Sequence, residues 1–302
     1  MRISIVTTTL NAMPYIVDTT RSVLQSNHRD LEYVLIDAGS SDGTLEHIKQ
    51  IRDSRASVEI IPGISAYEAV DRGFRNSTGD IVAWINGDDL YYPWTISCVS
   101  KVFAAFPEVQ WITGLATFLN VDGHCTVRGG MASYPRRYIQ NGWFNELGFG
   151  YLQQENMFWR RSLYEEAGGL NLKYVQAADF DLWIRMARHA ELVAVNVPLG
   201  AFRRRGTNRS VTGRSKYLQD VEDATRALPK MGGVKSYLCR TSMVAKHALR
   251  LSEWHRTSWI CCSEPEPQWK LKSAIRPISR YSVQQLMTEA VANRVFSDRG
   301  RT

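Results

Sequence analysis

The chain opens on an apolar, β-branched run from Ile3 to Thr8. It ends at Leu10-Asn11-Ala12-Met13-Pro14, where Asn and Pro suit a loop leading into a helix. From Tyr15 to Leu24, Ile16, Thr19/Thr20 and Val23/Leu24 recur at helical spacing, and Leu31 to Ile36 is a second apolar run that stops at Asp37. Ser40-Ser41-Asp42-Gly43-Thr44 then supplies caps for a helix through about Ile51. Val58 to Ile61 reads as a short third strand, Ala66 to Phe74 as a helix and Ile81 to Ile85 as a buried fourth strand. Asn86-Gly87-Asp88-Asp89 closes that strand, and Pro93 opens a helix reaching about Phe106. Strands alternating with helices over short connections predict an α/β fold, a mostly parallel sheet covered on both faces.

Further along, Val109 to Phe118 and Leu192 to Val197 read as strands around an irregular Gly- and aromatic-rich stretch. Asp179 to Ala190 carries a helical stripe of Phe180, Trp183, Ile184 and Ala187. Beyond about Ser215 the pattern predicts helices only, over Tyr217 to Leu228, Tyr237 to Trp254 and Val283 to Val295, with Pro265, Pro267 and Pro277 in the connections. The expected organisation is a core over 1–215 and a helical region over 216–302.

Charge sharpens that division. The net +7 conceals 17 Lys+Arg against 22 Asp+Glu in residues 1–200, net −5, and 20 against 8 in residues 201–302, net +12. The basic C-terminal third therefore points to an anionic partner or to a solvated helical face. Lys246, Arg250, Arg256, Lys270 and Lys272, interleaved with Trp254, Trp259 and Trp269, suit helices around Tyr237 to Trp259 and Trp269 to Arg280 resting on an anionic membrane surface, where a lipid-linked acceptor would be presented. The 302 residues are 44% hydrophobic and 22% charged, which excludes disordered, collagen-like and low-complexity classes and leaves room for one large or two modest domains. The 5 Cys show no metal-ligand spacing, and no secretory h-region or span of ~20 apolar residues occurs; a reduced, cytoplasmic chain is expected, at most peripheral at the inner face of a membrane. Its oligomeric state is left open.

Three acidic clusters are the candidate chemistry. Asp88 and Asp89 follow an apolar strand, and ligands of open α/β sheets bind outside the carboxyl ends of strands. Two carboxylates there suit a hard cation such as Mg or Mn with a diphosphate, or simply a turn. Asp37 and Gly39 stand at the end of the second strand, where Asp37 can accept a hydrogen bond from a base or sugar hydroxyl and Gly39 lets a ligand approach the backbone; a plain Asp-Gly turn is the alternative. Asp179 and Asp181 lie at a helix start, where the macrodipole favours carboxylates, and with Phe180 facing the core they point to different sides. No GxGxxG follows the first strand and no GxxxxGK[ST] occurs, against dinucleotide oxidoreductases and P-loop enzymes.

In order, SIVTTTLN, VLIDAGSSDGT, AYEAVDRGFRNSTGD, IVAWINGDD, QQENMFWRRSLYEEAGGLN and AADFDLWIRMA resemble the family 2 glycosyltransferases of the GT-A fold, over residues 3 to about 188. The resemblance implies a nucleoside-diphosphate-sugar donor, a divalent Mn or Mg ion, and inverting transfer of a sugar to a hydroxyl of a glycan or lipid-linked acceptor. It puts Thr8, Asn11, Asp37, Asp71 and Arg72 on the nucleotide side and Asp88 and Asp89 in the metal-binding motif, with Asn86 in place of that motif's first Asp. It makes Asp179 the general base, although Ala178 replaces the usual Glu, and Asp181 structural. Gln154 and Glu155 fall on the acceptor side. Arg205 stands where relatives carry a His; it cannot ligate a metal but can neutralise a diphosphate. Two alternatives rank lower. A sugar-1-phosphate nucleotidyltransferase would show a Gly-rich basic signature where TTTLNAMPY stands, and a degenerate GT-A domain with a nucleic-acid- or membrane-binding tail would not need to keep every acidic cluster.

Overall fold

Alternate side chains of each apolar run enter two different cores, which is why the runs are continuous rather than alternating. In the computed structural model, which describes residues 1–129, 132–241, 254–263 and 268–277, β1 (Ile3–Thr9), α1 (Tyr15–Leu24), β2 (Leu31–Asp37), α2 (Thr44–Lys49), β3 (Ala56–Ile60), α3 (Ala66–Arg75) and β4 (Ile81–Asn86) follow in the expected order. Then come β5 (Leu90–Tyr91), α4 (Thr95–Ala105), β6 (Trp111–Thr113), β7 (Thr117–Leu119), β8 (Cys125–Arg128), α5 (Arg136–Gln140), β9 (Met157–Arg160) and α6 (Arg161–Glu166). The remaining elements are α7 (Ala178–Met186), β10 (Leu192–Val195), β11 (Gly200–Arg203), α8 (Arg209–Thr212), α9 (Arg214–Thr225), α10 (Gly233–Thr241), β12 (Trp254–Ser263) and β13 (Gln268–Pro277).

Nine strands form one sheet in the order β13-β12-β10-β6-β9-β4-β1-β2-β3, parallel except for β9 and β13. On one face Val6, Val34, Trp84, Trp111 and Trp159 pack against α3, α6 and α7. On the other Ile5, Leu35, Ile85, Ile112 and Phe158 pack against α1, α2 and α4. Trp183 of α7 stacks on Trp84, centroids 5.8 Å apart, and meets Trp159 edge-on at 5.3 Å. Such aromatic pairs contribute about 0.5–1.5 kcal/mol each beyond the area they bury, and they fix the helix that carries Asp179.

The chain winds outward from β1 to β3 and then crosses back along α3 to β4 on the other side of β1. This is a topological switch point, where loops at the carboxyl ends diverge and leave a crevice. Register sets Thr9 beside Asp37 and Thr8 beside Asn86, so the Asp37 loop and the Asp88-Asp89 loop flank the end of β1. A small second sheet, β5-β11-β7-β8, folds over that end. The single strand expected from Val109 to Phe118 is split at Gly114, where a Cβ would lie 2.8 Å from the Val197 carbonyl oxygen and the Leu199 nitrogen; the backbone leaves one sheet there and enters the other.

The C-terminal region corrects the sequence reading. Helices α9 and α10 are present, but the Trp254 to Trp259 end of the helix expected around Tyr237 to Trp259, and the helix expected around Trp269 to Arg280, are instead the antiparallel β12-β13 hairpin over its described length. Strand β12 pairs in parallel with β10, placing Trp259 and Cys261 in one core and Ile260 in the other, so this region extends the sheet of residues 1–215. The outer strand β13 exposes Lys270, Leu271, Lys272 and Ser273. An edge strand wet on both faces lacks the continuous apolar run of an interior one, and charged residues there block edge-to-edge pairing. Lys246 and Arg250, the rest of the helix expected to Trp254, and the one over Val283 to Val295 lie outside the described residues.

Candidate active site

Asp37 ends β2 and is fully buried. Its Oδ1 accepts from the Gly39 and Ser40 N–H groups at 2.9 and 2.8 Å, and its Oδ2 from the Ser40 and Thr9 hydroxyls at 2.5 and 3.0 Å. The carboxylate thus clamps the turn that holds Gly39 at φ 97°, where Gly is the residue that fits and where an added Cβ would press on Pro62 at 3.3 Å. Asn11, itself at φ 52°, accepts from the Ser41 N–H at 2.9 Å and ties the β1 and β2 loops together. Thr8 lies half-buried beside Asn86. Asp71 and Arg72 are engaged elsewhere: Asp71 with Arg75 and the Tyr164 hydroxyl, Arg72 with Glu59 on the outer strand β3.

The two neighbouring carboxylates after β4 have different environments. Asp89 is completely buried: Oδ1 accepts from the Arg203 backbone N–H at 2.8 Å and Oδ2 from Asn86 Nδ2 at 3.3 Å. Burial, and then the charges of Asp88 and Glu155, hold its carboxyl well above the usual carboxylate range. The side chain of Asp88 is 14% exposed and faces the crevice, where Arg205 Nη2 lies 2.6 Å from Oδ2 and Asn208 Nδ2 3.4 Å away. Arg203, 1% exposed, reaches the Asp88 carbonyl (2.9 Å), the Val121 carbonyl (3.0 Å) and Asp18 (3.3 Å) and welds the small sheet to the acidic loop. Arg203 and Arg205 both lie over the Tyr15 ring, at 4.9 and 5.1 Å. The arginine run suggested Arg205 as a functional group; Arg203 and Asn208 had no signal beyond their proximity to it.

Gln154 and Glu155 are interior. Gln154 Nε2 donates to the Trp84 carbonyl while its Oε1 is buried without a partner, and Glu155 is 3% exposed near Asp89. Among the described residues no group of three His, Cys, Asp or Glu side chains could hold a metal unaided. A Mg- or Mn-type cation in a phosphate-transfer site takes one or two carboxylates and completes its shell with substrate phosphates and water. Asp88, an oxygen donor facing the crevice, fits that arrangement.

Asp179 occupies the first turn of α7, half-buried, and Oδ1 accepts from the Tyr67 hydroxyl at 2.8 Å. Tyr67 is held in the first turn of α3 by a capping box, with the Ser65 N–H donating to Glu68 Oε2 at 3.0 Å and Ser65 Oγ accepting from the Glu68 N–H. Its ring lies 5.3 Å from the Arg209 guanidinium, which donates to the Val175 carbonyl. Burial raises the Asp179 pKa, while the Tyr67 hydrogen bond and the Arg209 charge oppose that rise. Asp181 turns away and binds Arg185 at 2.8 Å. Sequence reasoning missed Tyr67 and Arg209, which stand 112 and 30 residues from Asp179; only the fold brings them together.

A mostly parallel sheet with an acidic loop at its switch point and a recessed carboxylate beyond it defines a GT-A fold. Residues 4–156, half of the chain, match the family model "Glycosyl transferase family 2". The chain belongs to that family and is a glycosyltransferase. It is 32% identical over 129 residues to an uncharacterised glycosyltransferase of Nostoc sp., covering 41% of this chain and 38% of that relative's length. To a PGL/p-HBAD biosynthesis glycosyltransferase of Mycobacterium bovis it is 24% identical over 229 residues, 74% of this chain and 85% of the relative. Similar solved structures include S. aureus TarS 1–349 in complex with UDP-GlcNAc (TM-score 0.60, 13% identity, 82% of this chain and 72% of that one). Another is the mannosyltransferase PcManGT of Pyrobaculum calidifontis with GDP-Man and Mn2+ (TM-score 0.54, 18% identity, 79% and 68%). At these identities the structures bear on the fold.

Proposed function

We propose that the chain is an inverting, metal-dependent glycosyltransferase that moves a sugar from a nucleoside-diphosphate sugar, a UDP-sugar first among candidates, to a hydroxyl of a glycan or lipid-linked acceptor. The observation that carries this reading is the separation of two carboxylates with different settings: Asp88 facing the crevice at the switch point, and Asp179 recessed at the start of α7 with Tyr67 on its Oδ1. Residues 1–215 would supply the donor site and the catalytic residues, and the region from 216 onward further acceptor, membrane or oligomer contacts. Described residues include no helix long and apolar enough to cross a membrane; a membrane contact through the basic region belongs to this proposal.

In this reading Asp88 would hold a divalent Mn or Mg together with the donor diphosphate. The bound cation would supply charge neutralisation for the departing nucleoside diphosphate. Arg205, paired with Asp88 at 2.6 Å, would exchange that partner for a diphosphate oxygen of the donor. Asp179 takes the acceptor hydroxyl's proton as that oxygen attacks the anomeric carbon, and a single displacement inverts its configuration. Arg203 and Asn208 keep the acidic loop in place, and Asp89 anchors β11 rather than facing the donor.

Calorimetric titration of UDP-, GDP-, CMP- and dTDP-sugars, with and without Mn, tests the donor side. One donor should bind more tightly with Mn, and Asp88→Ala should weaken that binding about tenfold or more, the scale of a lost charge-assisted contact. Donor affinity unchanged by both Mn and the substitution would remove Asp88 from this role.

A further inference from the structure

Beside Asp179 lies a corner of side chains that the donor chemistry leaves unused. The Tyr151 ring is 41% exposed and sits 5.6 Å from that of Tyr217, inclined by 55°. Tyr217, in the first turn of α9, packs on the cluster of Ala177, Phe180, Ile184 and Val221, so it is anchored to the helix that carries Asp179. The Tyr151 hydroxyl donates to Glu146 Oε2 at 3.0 Å, and Glu146 Oε1 accepts from Arg214 Nε at 2.8 Å. A chain of contacts joins this corner to Asp179. Gly213, which precedes α9, abuts Gln176 so closely that a Cβ would lie 2.5 Å from Nε2; the Gln176 carbonyl lies 3.3 Å from the Tyr67 hydroxyl oxygen, whose proton goes to Asp179 at 2.8 Å. Asp179 is also among the charges that raise both the Tyr151 and Tyr217 phenols, as expected within its electrostatic reach.

We propose that the acceptor is a carbohydrate whose ring packs against Tyr151 and Tyr217, with its hydroxyls bonded by Glu146 and Arg214 and one of them directed to Asp179. A sugar ring has an apolar C–H face for an aromatic side chain and a rim of hydroxyls that donate to a carboxylate and accept from a guanidinium. An anionic headgroup would instead meet the Glu146 carboxylate, with Arg214 already paired to it. An isoprenoid tail would bury that ion pair without replacing its water. The proposal rests on Asp179 as the acceptor-side base.

Saturation-transfer NMR on the full chain with UDP and Mn, using methyl and para-nitrophenyl glycosides of glucose, galactose, mannose, rhamnose and N-acetylglucosamine, tests it, with farnesyl phosphate as the lipid probe. At least one glycoside should receive saturation. Tyr151→Ala should raise its Kd about tenfold or more, while Tyr151→Phe stays within about threefold and UDP binding is equal in all three proteins. Because Tyr151 is exposed, that variant should keep the wild-type melting temperature, and Tyr217→Ala should repeat the effect. No bound glycoside, equal binding by Tyr151→Ala, or saturation of farnesyl phosphate alone would overturn the proposal. Wild-type protein that binds a glycoside but no nucleotide would sink the donor reading instead and leave this corner as a sugar site.

Discussion

Asp179 and Asp89 show how the partners of a carboxylate decide its use. Burial raises the pKa of both, but Asp179 is opposed by the Tyr67 hydroxyl and Arg209, whereas Asp89 sits beside the like charges of Asp88 and Glu155. As the proposed base, Asp179 must be ionised, so activity should fall as pH drops through its raised pKa. Tyr67→Phe deletes a hydrogen bond that favours the ionised form, and the acidic limb of the pH–rate profile should then move to higher pH. Turnover at neutral pH should drop on the order of tenfold, the low end for a hydrogen bond to a charged group. An unmoved acidic limb would show that Tyr67 does not tune this carboxylate. At this scale the sequence was partly legible. Acidic residues after apolar runs marked Asp37, Asp88 and Asp89, and a helix start marked Asp179, but nothing in the string NGDD tells the crevice-facing Asp88 from the inward Asp89, because that follows from the pairing of β11 with β5.

Elements legible in the sequence were those buried on both faces, such as β1, β2 and β4, whose apolar runs need no partner to be recognised. Short strands of the second sheet were not, since β5 and β11 are held by long-range contacts. Gly200 in β11 illustrates this: a Cβ there would lie 2.1 Å from the Glu155 carbonyl oxygen, and its N–H donates to Asn156 Oδ1 at 2.8 Å. Gly200→Ala must push β11 away from the 154–156 turn, costing about 3 kcal/mol as an overpacked site and displacing Arg203 to Arg205 from the acidic loop. A lowered melting temperature together with weaker donor binding is the expected result of differential scanning fluorimetry and titration. A variant that melts like wild type would contradict the close approach.

Across the whole molecule, the sheet brings the acidic loops after β2 and β4 to one rim, where the donor site is proposed, and the C-terminal hairpin completes its far side. Charge asymmetry was visible in composition, yet composition could not show that the basic region contributes strands, because register with β10 is a tertiary property. Ile260, wholly buried in that pairing, separates the two readings of the region. Ile260→Asp should destabilise the entire chain by about 3–5 kcal/mol as a buried unpaired charge, read as loss of the cooperative denaturant transition; a solvated tail would leave it unchanged. The most direct test of the central claim is made at the rim itself, by measuring donor affinity and turnover on the same preparation of Asp179→Asn. Asn keeps the shape but cannot take the proton, so turnover should fall about 10²–10⁴-fold while donor Kd stays within about twofold of wild type. Retained turnover, or donor affinity lost in step with it, would contradict the assignment of Asp179 as the base.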